Sequence, residues 1–125
     1  MIIVIVRFKI SPYVTETALE EKFIESSEMY RTTPGLIRKN YLSDLKNNIA
    51  GGVYCFDSIE NAHNWFDDNR IEWLTQKYSK PEINFYNSPI IVDNSSNEIT
   101  YWKIYTNEKI AQINFVYFSN DSTHR

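Results

Sequence analysis

Glycine, histidine and cysteine are all scarce in this chain of 125 residues, at three, two and one respectively. Three glycines cannot supply a dinucleotide fingerprint or a phosphate-cradling loop. The single thiol, Cys55, excludes an internal disulfide framework and a four-thiolate metal site. His63 and His124 form no pair at helical spacing, so no metal centre is expected. A Gly-x-Ser-x-Gly elbow is also absent, which removes the common hydrolase triad. Basic residues are not in excess: 13 Lys and Arg stand against 16 Asp and Glu, for a net charge of −3. That balance carries no footprint for nucleic acid. No apolar run approaches the roughly 18 residues of a membrane span. The apolar start, residues 1–6, is ended by Arg7 and is too short for a signal-peptide core. The expectation is a cytoplasmic protein with Cys55 as a free, buried thiol.

Aromatic residues are plentiful. Three Trp, nine Tyr and seven Phe make 15% of the chain, and hydrophobic residues reach 42%. Such a chain has the apolar surface for one core, and a surplus of flat side chains for walling a pocket.

The order of elements follows from periodicity. Residues 2–10 alternate with Ile2, Val4, Val6, Phe8 and Ile10 on one face, as a central strand does. Ser11-Pro12 breaks that run. Thr17-Ala18-Leu19-Glu20 has the capping-box pattern and predicts a helix to about Arg31. Leu19, Phe23 and Tyr30 form its inner stripe, and Glu16, Glu20, Glu21, Glu25 and Glu28 its solvated side. Thr32-Thr33-Pro34-Gly35 ends it. Residues 36–42 and 51–56 read as two strands joined by a polar turn over 43–48. Gly51-Gly52 is read as a close backbone approach or a bulge. Asp57-Ser58-Ile59-Glu60 starts a second helical region to about Tyr78, with a break near 67–69. Residues 81–92 give a fourth strand.

The sum, β-α-β-β-α-β, is a ferredoxin-like α+β protomer of residues 1–94. Two helices cover one face of its antiparallel sheet, and pairing with a second copy would cover the other. Residues 95–125 form an extension holding six of the 19 aromatics. The runs 100–106 and 110–118 predict a β-hairpin around 107–109. Such a hairpin would dock a partner or lock a dimer.

Three stretches resemble one family. Tyr30-Arg31-Thr32-Thr33-Pro34-Gly35-Leu36-Ile37-Arg38-Lys39 is similar to its helix-to-strand junction. Gly51-Gly52-Val53-Tyr54 is similar to its third strand, and Pro81-Glu82-Ile83 with Pro89-Ile90-Ile91-Val92-Asp93-Asn94 to its closing strand. Residues 1–94 thus resemble the YdhR-like mono-oxygenases of the dimeric α+β barrel superfamily. The resemblance implies a homodimer whose sheets close a barrel. It also implies either a cofactor-independent mono-oxygenase or a non-catalytic protein that binds small ligands in the same fold. Haem-opening members resemble a pattern with an Asn on the first strand, a Trp on the second helix and a His some three turns later. Trp65 matches, but Val6 and Arg7 stand where the Asn belongs, and residues 69–78 hold no His. A haem iron would lack its axial ligand.

Oxygenation without a cofactor suits the residue supply better. An electron-rich aromatic such as a hydroquinone, once deprotonated, gives an electron to dioxygen directly. The protein binds the ring, favours its anion and excludes water. Trp65, Tyr54, Phe56, Trp73 and Tyr41 are the candidate walls. His63 is the candidate base. Arg38 is the candidate anion partner, its sheet face left open by strand parity. Each has a plainer role beside it. The tryptophans and tyrosines can be core, His63 an exposed helix residue, and Arg38 and Lys39 dimer or solvent contacts.

Overall fold

The computed structural model describes residues 1–123, so His124 lies outside the described residues. The chain runs β1 (Ile2–Lys9), α1 (Glu16–Arg31), β2 (Leu36–Asp44), a 3₁₀ turn (Leu45–Asn47) and β3 (Ile49–Phe56). Next come α2 (Ile59–Trp65), α3 (Asp68–Lys77), β4 (Glu82–Asn87), β5 (Ile90–Asp93), β6 (Glu98–Tyr101) and α4 (Asn107–Thr123). The four-stranded sheet has the order β2-β3-β1-β4, and every pairing is antiparallel. The fold is the ferredoxin-like α+β arrangement.

The alternation of β1 decides where the core lies. Ile2, Val4, Val6 and Phe8 are buried under the helices and sit opposite Phe56, Tyr54, Gly52 and Ala50 of β3. The same face takes Ile83 and Phe85 from β4, and Leu19, Ile59, Ala62, Phe66 and Leu74 from the helices. Burying side chains of this size stabilises by about 1.5–3 kcal/mol each, before the entropy of ordering is subtracted.

The opposite face carries Ile3, Ile5, Val53, Cys55 and Leu42 beside Arg38, Arg7 and Tyr86, and among the described residues no helix packs broadly over it. Gly51 faces that side. A Cβ there would stand 1.9 Å from the Val6 carbonyl oxygen, so Gly51 permits the close approach of β3 to β1.

Helix caps sit near the expected places. Thr15, two residues before the sequence pattern, is the N-cap of α1 and accepts from the Ala18 amide at 3.1 Å. Ser58 caps α2 through the Asn61 amide, and Asp67 caps α3 through the Arg70 amide. The expected break in the second helical region therefore falls at Phe66 and Asp67, where a new cap restarts the helix.

Beyond residue 87 the structure differs from the sequence expectation. The predicted fourth strand is divided at Ser88-Pro89 into β4 and β5. The hairpin exists but lies earlier, between β5 and β6, around a turn in which Asn97 adopts a left-handed φ of 56°. Residues 107–118, read as hairpin loop and strand, belong instead to helix α4. Thr106 caps its start by accepting from the Lys109 amide at 3.1 Å. Ile110, Ile113 and Tyr117 share one face at helical spacing and touch the core. That spacing outweighs the β-branched and aromatic content that suggested a strand.

Helix α4 runs along the open edge of β4. Asn114 accepts from the Phe85 amide at 2.8 Å and donates to the Phe85 carbonyl at 3.1 Å, as a neighbouring strand would. Asn87 makes the same pair of bonds with the backbone of Tyr105, at 3.0 and 2.8 Å. The Tyr105 hydroxyl accepts from the Ile59 amide, and the Tyr117 hydroxyl donates to the Phe66 carbonyl at 2.7 Å. The C-terminal segment is thus sewn to the domain by side chains that complete backbone groups. Among the described residues no helix is long and apolar enough to cross a membrane.

Candidate functional site

A cage of rings lies between α1, α3 and the sheet. Tyr30 comes from α1, Tyr41 from β2, Tyr54 from β3, Trp73 from α3 and Tyr78 from its C-cap, and all border one small cavity. Rings lock against rings: Tyr30 meets Tyr41 at 6.2 Å, Tyr54 at 5.7 Å and Trp65 at 5.7 Å between centroids. The Ser26 hydroxyl donates to the Phe23 carbonyl, which leaves the Tyr41 hydroxyl to donate to Ser26 at 2.8 Å. Burial raises the pKa of the Tyr30, Tyr41 and Tyr54 phenols and pushes that of Tyr78 up to about 12.

The centre of the cage is Lys39. Its Nζ stands 3.5 Å from the Tyr30 ring centroid, 3.9 Å from that of Tyr41 and 4.6 Å from that of Tyr54. Ring faces attract a cation, but no ion pair among the described residues involves this amine. Burial, with Lys77 and Arg70 adding to it, lowers the Lys39 pKa to about 6. Burial thus favours the free amine, and the ring faces act against it by favouring the ammonium. Gly52 makes room for it, since a Cβ there would stand 3.0 Å from Lys39 Cε.

A second group of donors adjoins the cage. Arg70 lies over Trp65 at 4.0 Å and over Trp73 at 5.1 Å, and it donates to the Met29 sulfur. Arg70 Nε and Trp65 Nε1 are buried and have no partner among the described residues. A buried orphan donor costs about 1–3 kcal/mol, so each calls for an acceptor such as a water or ligand oxygen. An open depression lies on the outer side, lined by Trp65, Arg70 and Trp73. The inner cavity measures only about 10 Å³, room for about one water. Trp65, Arg70 and the Lys39 side chain must shift to admit a ring.

The sequence candidates divide. Tyr54, Tyr41 and Trp73 line the cavity, and Trp65 packs edge-on against Tyr30, one of the lining rings. Phe56 lies behind it in the core, against Tyr54 and Phe66. Arg38 stands opposite Cys55 on the uncovered face of the sheet, away from the cage. His63 is exposed and turned toward the tail, edge-on to Tyr117 at 6.3 Å. The structure therefore brings neither the candidate base nor the candidate anion partner to the aromatic cage, where Lys39 and Arg70 stand instead.

One feature of β2 explains the exchange of Arg38 for Lys39. The register between β2 and β3 shifts between Leu36 and Arg38, so Leu36 faces Phe56 and Arg38 faces Cys55. This bulge inverts strand parity and turns Lys39 inward. The signal that could have found Lys39 is its separation of two from Tyr41, which puts both on one face.

Comparison with known proteins adds to this geometry. The family model described as "Putative mono-oxygenase ydhR" matches residues 3–97. A putative antibiotic biosynthesis monooxygenase from Deinococcus radiodurans aligns at a TM-score of 0.56 and 15% identity, over 74% of this chain and 97% of the other. SnoaB, a cofactor-independent oxygenase from Streptomyces nogalater, aligns at 0.53 and 14%, over 70% and 91%. The ActVA-Orf6 monooxygenase of Streptomyces coelicolor, solved with nanaomycin D, aligns at 0.54 and 19%, over 70% and 86%. At these identities the structures share the fold. Curated protein sequences gave no match.

Proposed function

This chain belongs to the ydhR mono-oxygenase family, and from that premise we propose that it is a cofactor-independent mono-oxygenase acting on a small, hydroquinone-like aromatic compound. The observation that carries the reading is the Lys39 amine held against three phenol rings, with no carboxylate partner among the described residues. Two solved relatives in fold support it, one described as a cofactor-independent oxygenase and one holding nanaomycin D.

The substrate ring enters past Trp65, Arg70 and Trp73 and stacks among the tyrosines. Lys39 Nζ takes a phenolic proton and becomes an ammonium beside the phenolate it has made. A base with a pKa near the working pH contributes about 10²–10⁴-fold. The ammonium, Arg70 Nε and Trp65 Nε1 then hold the substrate oxygens and favour the anion. The electron-rich anion reduces dioxygen by one electron, and recombination at ring carbon forms a C–O bond. Loss of water from the resulting hydroperoxide leaves one oxygen atom on the ring as a carbonyl, and the other departs in the water. The rings exclude bulk solvent during these steps.

The uncovered sheet face, with Ile3, Ile5, Val53 and Leu42, supports a homodimer closed through that face. Sedimentation at micromolar concentration tests it, and a monomer would refute it.

Dioxygen uptake with a panel of hydroquinones, in the presence of a chelator and without flavin, tests the activity. The expected result is a hydroxyquinone carrying one new oxygen atom from dioxygen, with one water formed per dioxygen consumed. Tight binding of the same compounds without turnover would make the protein a ligand-binding module instead. Neither turnover nor binding would refute the site.

A further inference from the structure

The chain as a whole is acidic, with a net charge of −3, yet cations surround the rings of the cage. Arg70 and Lys77 stand one turn before and one turn after Trp73 on α3, and both lie against its ring, at 5.1 and 4.8 Å from the centroid. Lys77 and Lys22 of α1 share the neighbouring Tyr78 ring, at 5.8 and 5.5 Å. Trp73 and Tyr78 line the same cavity as Lys39. Four cations are thus linked through shared rings, and none of the four forms an ion pair among the described residues. Two carboxylates lie near them. Asp67 borders the outer depression, but its Oδ1 accepts from the Arg70 backbone amide as the cap of α3. Glu25 acts on the Tyr78 phenol from an exposed position on α1.

We propose that the compound taken by this site carries a carboxylate: the ligand class is an aromatic acid, with its ring against the aromatic wall and its anionic group beside Arg70 and Lys77. The proposal rests on the site of the oxygenase reading and narrows its substrate to hydroquinone acids. Three observations carry it. The first is the unpaired charge. Like charges held close repel, and one anion relieves all of them at once. Ring faces attract these cations but supply no lone pair to their N–H groups, and a neutral ligand ring adds nothing that the protein's own rings do not already supply. The second is the pair of orphan donors, Arg70 Nε and Trp65 Nε1. A carboxylate has two oxygens and accepts several hydrogen bonds, so one group can serve both donors. The third is room. The depression lined by Trp65, Arg70 and Trp73 measures about 330 Å³, within the range of small-ligand pockets, so the charged end of a ligand fits there without enlargement of the inner cavity.

The test compares 2,5-dihydroxybenzoate with its methyl ester, which keeps the hydroquinone and removes the charge. Each is titrated into the intact protein by isothermal calorimetry at pH 7 under nitrogen, so that no turnover contributes. The acid is expected to bind at least about tenfold more tightly than the ester at low salt, and the gap should narrow as salt screens the half-exposed cations. In Lys77→Met the preference for the acid should shrink by about three- to fivefold, whereas Lys46→Met, in the 3₁₀ turn and outside the cation group, should keep it. Equal affinities for acid and ester in the wild type would overturn the proposal and leave the oxygenase reading standing. An equal loss of preference in both variants would also overturn it, because the effect would then belong to surface charge at large. Binding of neither compound would overturn the proposal together with the site on which the oxygenase reading rests.

Discussion

Two polar clusters flank the α2–α3 segment, and they are built on opposite terms. On the tail side, Tyr105, Asn114 and Tyr117 complete backbone groups of Ile59, Phe85 and Phe66, and Lys109 pairs with Glu60 at 3.1 Å. On the sheet side, Lys39 has no counter-ion, and Arg70 Nε and Trp65 Nε1 no partner, among the described residues. The first arrangement lowers the energy of the fold. The second leaves energy unrecovered, and it does so where rings and an open depression converge. Polar groups that a fold fails to satisfy are where a ligand can recover free energy. This contrast separates stabilising residues from working ones more sharply than residue type does, because both clusters are rich in tyrosine.

The contrast can be broken by substitution. The largest stability loss is expected for Asn114→Ala, which orphans both backbone groups of Phe85. Two unsatisfied groups cost about 2–4 kcal/mol together, read by chemical denaturation. Lys39→Met should act in the other direction and stabilise by about 1–3 kcal/mol at pH 7, because it removes a buried ionisable group without opening a void. An unchanged or lower denaturation midpoint would show that the amine is held by favourable contacts after all. Tyr117→Phe should cost about 1 kcal/mol through the lost bond to the Phe66 carbonyl, with activity per folded molecule preserved. Trp65→Phe should change stability least, by under about 1 kcal/mol, since the lost indole N–H has no partner among the described residues, yet it should weaken ligand binding.

The pH dependence of stability follows from the same cluster. In the unfolded chain Lys39 titrates near its ordinary value of 10.5, and in the folded chain near 6. Between those values the unfolded chain carries a proton that the folded one does not, so this residue makes stability rise with pH from about 6 upward. Below about 6 both states are protonated, so the slope vanishes and the destabilisation from this residue is at its greatest. Lys39→Met should flatten the slope between pH 6 and 9 in urea titrations. An equal slope in both proteins would place the titrating group elsewhere.

Much of this was legible in the sequence. Period-two alternation from Ile2 to Phe8 fixed β1 as central, and the Ser58 cap with its following apolar residues placed Trp65 on α2. Tyr41, Tyr54 and Trp73 could be named because rings on inner faces converge. Lys39 escapes a count that starts from Leu36, because a bulge between Leu36 and Arg38 inverts the parity, whereas counting back two from Tyr41 puts it on the inner face. His63 drew attention as the one central imidazole, yet exposure on α2 turns it from the cage. Helix α4 was hidden by its Ile, Phe and Tyr content, although Ile110, Ile113 and Tyr117 already carried helical spacing. Its true partner, the open edge of β4, is a tertiary feature that local pattern does not report.

The most direct test of the central claim is the rate of dioxygen uptake with a hydroquinone across pH 5–8, in wild type and Lys39→Met. If the caged amine is the base, the wild-type rate rises through about pH 6 and levels off, and the variant, still folded, is slower by about 10²–10⁴-fold with no inflection there. A variant that consumes dioxygen at the wild-type rate, with the same pH profile, would contradict the account.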